Sequence, residues 1–219
     1  MLFHDRSDAA EQLAEALAEW RGKHPLILAI PRGAVPMAKI IADALEGELD
    51  VVLTRKLRAP GQPEFAIGAV AESGWAMVSE HAAMAGADED YVTQEIATQL
   101  AAIRARRAQY TGIAPPIDPE GRIVIVVDDG LATGATMIAA LHAVRERRPA
   151  RLICAVPVAA RESLAKVTHY ADEVVCLHAP VDFGAVGQFY GRFDQVDDEN
   201  VIEILRGARK DAYSRAQRS

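Results

Sequence analysis

Little in this chain suggests a secreted, metal-bound or membrane-spanning protein. Cysteine is scarce: Cys154 and Cys176 are the only two in 219 residues. Each sits inside an apolar run, without the set of ligands that a metal site needs. Buried, reduced thiols are the expectation, rather than a disulfide or a nucleophile. No apolar run approaches ~18 residues, so no transmembrane helix is expected. The opening Met-Leu-Phe-His-Asp lacks a basic start followed by an apolar signal core, and a cytoplasmic location is expected. Positive charge is in deficit too, 24 Lys and Arg against 31 Asp and Glu for a formal net charge of −7. That argues against a general nucleic-acid surface and leaves the basic residues to act locally on a small anion. No repeat or low-complexity segment is present. Two common phosphate signatures are also missing. Gly130 and Gly134 are too close for a Walker A loop and no Lys follows them, and no Gly-x-Gly-x-x-Gly occurs.

What is present is an alternation of strand-like and helix-like segments. The apolar content of 50% with 25% charged residues is that of a globular protein. Ser7 or Asp8 is placed to cap a helix running to Trp20, and Pro25 precedes a strand over Leu26–Ile30. A helix over Val35–Leu45, a strand over Asp50–Thr54 and, over Phe65–Val78, a hairpin or two short strands turning at Ser73-Gly74 come next. Asp88–Tyr110 is the longest helical pattern, ended by a Pro-rich joint over Ala114–Pro119. Strands over Ile123–Val127, Leu152–Val156 and Glu173–Leu177 then alternate with helices over Met137–Val144 and Arg161–Tyr170. The pattern predicts an α/β fold, a mainly parallel sheet flanked by helices, with ligands at the carboxyl ends of the strands.

The richest segment is Arg122 to Met137. Five consecutive β-branched residues, Ile123 to Val127, read as a strand covered on both faces. Asp128 and Asp129 stand at its end, and Gly130 to Thr136 offers two Gly and two Thr ahead of an apolar helix. A phosphate is well met by backbone amides at a helix N-terminus, where unpaired N–H groups and the dipole favour an anion. Thr133 and Thr136 add hydroxyl donors, and Gly134 lets the backbone approach closely. Two carboxylates are unsuited to phosphate but suited to accept hydrogen bonds from vicinal hydroxyls. Acids followed by an anion loop therefore read as a ribose site followed by a phosphate site.

Val126 to Met137, Val-Val-Asp-Asp-Gly-Leu-Ala-Thr-Gly-Ala-Thr-Met, resembles the phosphoribosyl-pyrophosphate motif of the type I phosphoribosyltransferases, and the chain resembles uncharacterised bacterial free-standing members over roughly residues 1 to 205. The resemblance implies one domain over residues 1–219, with a core at about 22–178 and a variable C-terminal hood at about 179–205. It implies transfer of a phosphoribosyl group to a nitrogenous acceptor with release of pyrophosphate. Asp128 and Asp129 would bind the ribose hydroxyls. Ala132, Thr133, Gly134, Ala135 and Thr136 would surround the 5'-phosphate, with Gly130 among the substrate-binding residues. Magnesium would be held mainly through the donor, with no dedicated protein metal site. The partners implied are small molecules, with neither nucleic acid nor membrane, and similar proteins commonly form dimers.

Two further segments acquire meaning from that resemblance. Pro31-Arg32-Gly33 follows the first core strand, where similar enzymes place a short loop that grips pyrophosphate, so Arg32 and Gly33 are assigned there. Thr54 to Phe65 carries Arg55, Lys56 and Arg58 with two Pro and a Gly, and reads as a mobile basic loop. Similar enzymes place a lid here; Arg55 and Lys56 are the residues assigned to bind departing pyrophosphate, Lys56 with Asp128 and Asp129 as the catalytic group. Phe183, Phe189, Tyr190 and Phe193 cluster in the hood, where packing against one another is favoured over stacking on a base. The acceptor is not legible. Ala132 stands where 6-oxopurine enzymes carry an Asp, the orotate lid pattern is absent, and the loop is closer to the adenine type. A donor- or nucleotide-sensing regulator without turnover is the alternative class.

Overall fold

The structure is a computed structural model that describes residues 2–112 and 115–216. Ala114, at the start of the proline-rich joint, lies outside the described residues. Five parallel strands, ordered β2-β1-β6-β7-β8, form the central sheet: β1 (Leu26–Ala29), β2 (Glu48–Val51), β6 (Ile123–Val127), β7 (Arg151–Val158) and β8 (Glu173–His178). A second sheet, antiparallel and ordered β3-β4-β5, contains β3 (Thr54–Ala59), β4 (Gln62–Ala71) and β5 (Ala76–Val78).

The apolar runs form central strands because both faces are covered. Ile27, Ala29, Ile125, Val127, Ile153 and Ala155 join a core with Leu13 of α1 (Arg6–Ala16) and with Met37 and Ile41 of α2 (Ala34–Ala44). The alternate residues Leu28, Val124, Val126, Leu152 and Cys154 face Ile138 and Leu141 of α4 (Ala135–Arg145) and Val167 of α5 (Arg161–Val167). Each such Leu, Ile or Met contributes roughly 1.5–3 kcal/mol on burial. At the β8 edge the cover thins, so Cys154 is buried but Cys176 is only partly so; both thiols are free.

Several sequence expectations change. The cap of α1 is Asp5, not Ser7 or Asp8: its Oδ1 accepts the amides of Ser7 at 2.9 Å and Asp8 at 3.1 Å. The helix ends at Ala16, followed by a short 3-10 turn over Ala18–Trp20. The strand expected over Asp50–Thr54 is instead β2, already finished at Val51, and Thr54 opens the second sheet. The basic segment expected to be a mobile loop is mostly a hairpin. Leu57, Ala59 and Ile67 are buried, and Gly61 makes the tight turn at φ +68°. Helix α3 (Glu89–Thr111) secures it, since Glu95 Oε1 accepts Arg58 N at 3.0 Å and Tyr91 Oη donates to Arg58 O at 2.9 Å. Beyond β8 the chain makes a short turn, Val186–Phe189, and enters α6 (Asp198–Ala216), which packs on α2 and β2. The 179–205 hood assignment thus ends part-way along α6.

Candidate functional site

Two neighbouring strands deliver the site to one edge of the sheet. β1 and β6 run parallel with Ala29 beside Val127, so the turn Pro31-Arg32-Gly33 and the pair Asp128-Asp129 emerge side by side at the carboxyl ends. The Pro31–Arg32 peptide is cis. A Cβ at Gly33 would overlap Asp129 Oδ2 and press on Arg6 Nη2, so the approach requires glycine. After the acids, the loop is fastened to β7 and α5. Leu131 N donates to Val158 O at 2.9 Å, Ala160 N to Leu131 O at 2.9 Å, and Ser163 Oγ to Ala132 O at 2.6 Å. Gly134, at φ +77°, turns the chain into α4. The first turn of that helix presents backbone amides and the positive end of the dipole to the loop.

Arg32, Gly33, Lys56, Asp128, Asp129, Gly130, Ala132, Thr133, Gly134 and Thr136 line one cleft of about 290 Å3, completed by Ile30, Pro31, Leu131 and Val186. Two of the expected binding residues lie elsewhere. Ala135 is buried in the first turn of α4. Arg55 faces a neighbouring cavity of about 270 Å3 with Arg58, Glu64 and Gln99, and its Nε donates to Gln99 Oε1 at 2.7 Å. Successive strand residues point to opposite faces; Lys56 borders both cavities.

The two acids differ electrostatically. Burial pushes the Asp128 carboxyl well above the usual range, the charge of Asp129 adds to the shift, and one hydrogen bond from Asp129 N at 2.9 Å opposes it. Burial also raises Asp129, but Arg6 opposes it: Nε and Nη2 both donate to Asp129 Oδ2, at 3.0 and 2.8 Å. Arg32 pairs with Asp198 of α6 at 3.5 Å. Tyr190 Oη donates to Asp129 O at 2.6 Å. The hood rings pack on one another, Phe183 on Phe189 at 5.1 Å and Tyr190 on Phe193 at 4.9 Å between centroids.

The model of the phosphoribosyl transferase domain matches residues 4–190, a span that contains every element of this cleft. The chain belongs to the phosphoribosyl transferase family. Its parallel sheet with flanking helices and small antiparallel sheet is the α/β architecture that the resemblance to type I phosphoribosyltransferases predicts. Two curated relatives from Mycobacterium tuberculosis, strains H37Rv and CDC 1551, carry the names "Putative phosphoribosyl transferase Rv0571c" and "Putative phosphoribosyl transferase MT0597". Each is 41% identical over 216 residues, covering 96% of this chain and 48% of the relative. The chain therefore spans about half the length of these relatives. The crystal structure of TT1426 from Thermus thermophilus is 46% identical, with a TM-score of 0.79 over 94% of this chain and 99% of that one.

Within this phosphoribosyl transferase fold, sequence reasoning missed Arg6 and Val186. Arg6 lies 123 positions from Asp129 and in sequence is only a charged residue near a helix start. Val186 carries no motif. Among the described residues no group of three or more His, Cys, Asp or Glu could hold a metal ion, and no helix is long and apolar enough to cross a membrane.

Proposed function

We propose that this protein transfers the 5-phosphoribosyl group of 5-phosphoribosyl 1-pyrophosphate to a nitrogenous acceptor, releasing pyrophosphate. The observation that carries this reading is the convergence of a paired acid, a helix-N-terminal glycine loop, a Pro-Arg-Gly turn and Lys56 on one cleft. The loop amides with Thr133 and Thr136 would hold the 5'-phosphate, and Asp128 and Asp129 would accept hydrogen bonds from the ribose hydroxyls. Breaking the bond between the anomeric carbon and pyrophosphate leaves positive charge on the sugar and negative charge on the leaving group. Lys56 and the Arg32-Gly33 turn would neutralise the latter, while the two acids orient the former. When bound, magnesium would supply charge neutralisation to the pyrophosphate through the donor's own oxygens. The catalytic event is expected in the cytoplasm.

Replacing Asp128 and Asp129 together by Asn is expected to abolish donor binding measured by calorimetry in the presence of magnesium. Unchanged affinity would remove the assignment. A screen of purine, pyrimidine and amine acceptors for pyrophosphate release identifies the acceptor; donor binding with no turnover across the panel would instead favour a sensor.

A further inference from the structure

Arg6 lies on α1, outside every segment that reads as chemistry in the sequence, yet its guanidinium meets the site on three sides. Nε and Nη2 both reach Asp129 Oδ2 at 3.0 and 2.8 Å, and Nη1 donates to Asp194 O at 2.6 Å. The guanidinium carbon lies 3.8 Å from the centre of the Phe193 ring. The Arg6 side chain is only 14% exposed and that of Asp129 17%. A two-bond guanidinium–carboxylate contact at this depth fixes direction as well as charge. Asp128, by contrast, accepts only the Asp129 amide among the described residues.

We propose that Arg6 is a positioning residue for the acid pair. It fixes one oxygen of Asp129, so the two carboxylates take different duties: Asp129 is held, and Asp128 is left open to the incoming ligand. The same guanidinium, through Phe193 and Asp194, connects that setting to the chain beyond β8, where Tyr190 Oη already grips the Asp129 carbonyl at 2.6 Å. The direction of ligand binding rests on the donor reading above; the hold on Asp129 does not.

The groups facing Asp129 are Arg6 from α1, Asp128 beside it, Lys56 from β3 and Tyr190 from the segment after β8. Removing Arg6 therefore leaves a buried carboxylate beside another acid, with Lys56 among the cations that still act on it. The test is carboxylate 13C NMR titration of the ligand- and metal-free protein, paired with calorimetry using phosphoribosyl pyrophosphate and magnesium. Arg6→Gln is expected to move the Asp129 midpoint upward and to weaken the donor by ~10-fold or more, the scale of one lost charge-assisted contact. Arg6→Lys is expected to restore most of the midpoint, because the charge remains, without restoring affinity, because the planar fork is gone. An unmoved Asp129 midpoint in folded Arg6→Gln overturns the proposal whatever the donor does. Full donor affinity in Arg6→Lys overturns it as well, and that variant decides the matter if Arg6→Gln does not fold. Wild-type protein that ignores the donor, while Arg6→Gln still shifts Asp129, defeats the donor reading and upholds the grip of Arg6.

Discussion

Asp50 and Asp128 are both acids enclosed by the same sheet, yet the protein treats them in opposite ways. Asp50, on β2, is saturated. Its carboxylate accepts Val51 N at 2.8 Å, Ile117 N at 2.7 Å and Arg209 Nη2 at 3.2 Å, with Arg107 at 4.0 Å. Burial still raises its pKa, but amides and guanidiniums pull it back. Asp128, at the end of β6, has one amide, and burial with the Asp129 charge leaves it raised well above the usual range. A structural acid has its acceptor capacity filled from within; an acid meant for a ligand keeps that capacity open and leaves the folded state bearing the cost. The contrast points to the carboxyl end of β6, rather than the buried centre of β2, as the place suited to a polar ligand.

The strongest way to break this contrast is Asp50→Ala. It strands Ile117 N and takes the carboxylate from Arg209, which keeps only Pro115 O at 2.9 Å, and removal of one member of a buried charged set typically costs about 3–5 kcal/mol. Urea unfolding should show a loss of that order, while the protein that remains folded should bind donor within about twofold of wild type, since the change leaves the cleft contacts intact. A large change in donor affinity would make Asp50 part of the site and dissolve the comparison.

Asp128→Asn probes the other side. The amide still accepts one hydrogen bond but no longer offers a charged acceptor to a diol, so donor affinity should fall by ~100-fold, about 2.7 kcal/mol. In wild type, binding should tighten as pH rises, because the donor needs Asp128 ionised and its pKa is raised. Calorimetry across pH checks both; a flat pH profile would mean that Asp128 does not change protonation on binding.

Much of this contrast is legible in the sequence alone. Five consecutive β-branched residues, Ile123 to Val127, favour a covered strand, and that strand forms as β6; the small-residue loop before an apolar helix reads as an anion cradle from its composition. Arg32 and Gly33 were reachable through the resemblance, which places a short loop after the first core strand; the local Pro-Arg-Gly signal alone is weak. The rest depended on tertiary contact. Thr54 to Phe65 has the composition of a loop, yet Leu57, Ala59 and Ile67 find a core and α3 supplies partners for the backbone, so the segment folds as a hairpin. Arg55 and Lys56 look equivalent in sequence, yet in the hairpin only Lys56 reaches the cleft of the acid pair, while both border the neighbouring cavity. Asp50 and Arg6 carry no local signature, because their partners lie 159 and 123 positions away.

Glycine gives a smaller and sharper comparison. At Gly33 a Cβ would collide with Asp129 Oδ2, whereas at Gly207 on α6 it would meet nothing within 4 Å. Gly33→Ala is therefore expected to displace the Asp129–Arg6 pair and weaken donor binding by about tenfold, or 1.4 kcal/mol. Gly207→Ala should stabilise the fold by up to ~1 kcal/mol through helix propensity and leave binding unchanged. Equal effects of the two substitutions on binding would mean that the tight approach at Gly33 has no bearing on the acids.

The smallest expected effect concerns stability in the absence of ligand. A group whose folded pKa is raised contributes stability that is fully present below its unfolded value, about 3.9 for Asp, and is lost as pH climbs through the folded value. Asp128 therefore makes the ligand-free protein progressively less stable from acid toward neutral pH. Asp128→Asn removes that loss, because its side chain stays neutral throughout. At neutral pH the variant should unfold about 2–4 °C above wild type, the shift that ~1 kcal/mol produces in a chain of this size. Near pH 4 the two should converge, since the wild-type carboxyl is then protonated as well. Scanning calorimetry at both pH values reads the difference directly. A variant less stable than wild type at both would place Asp128 with Asp50 among the structural acids, and the open carboxylate at the end of β6 would no longer mark a ligand site.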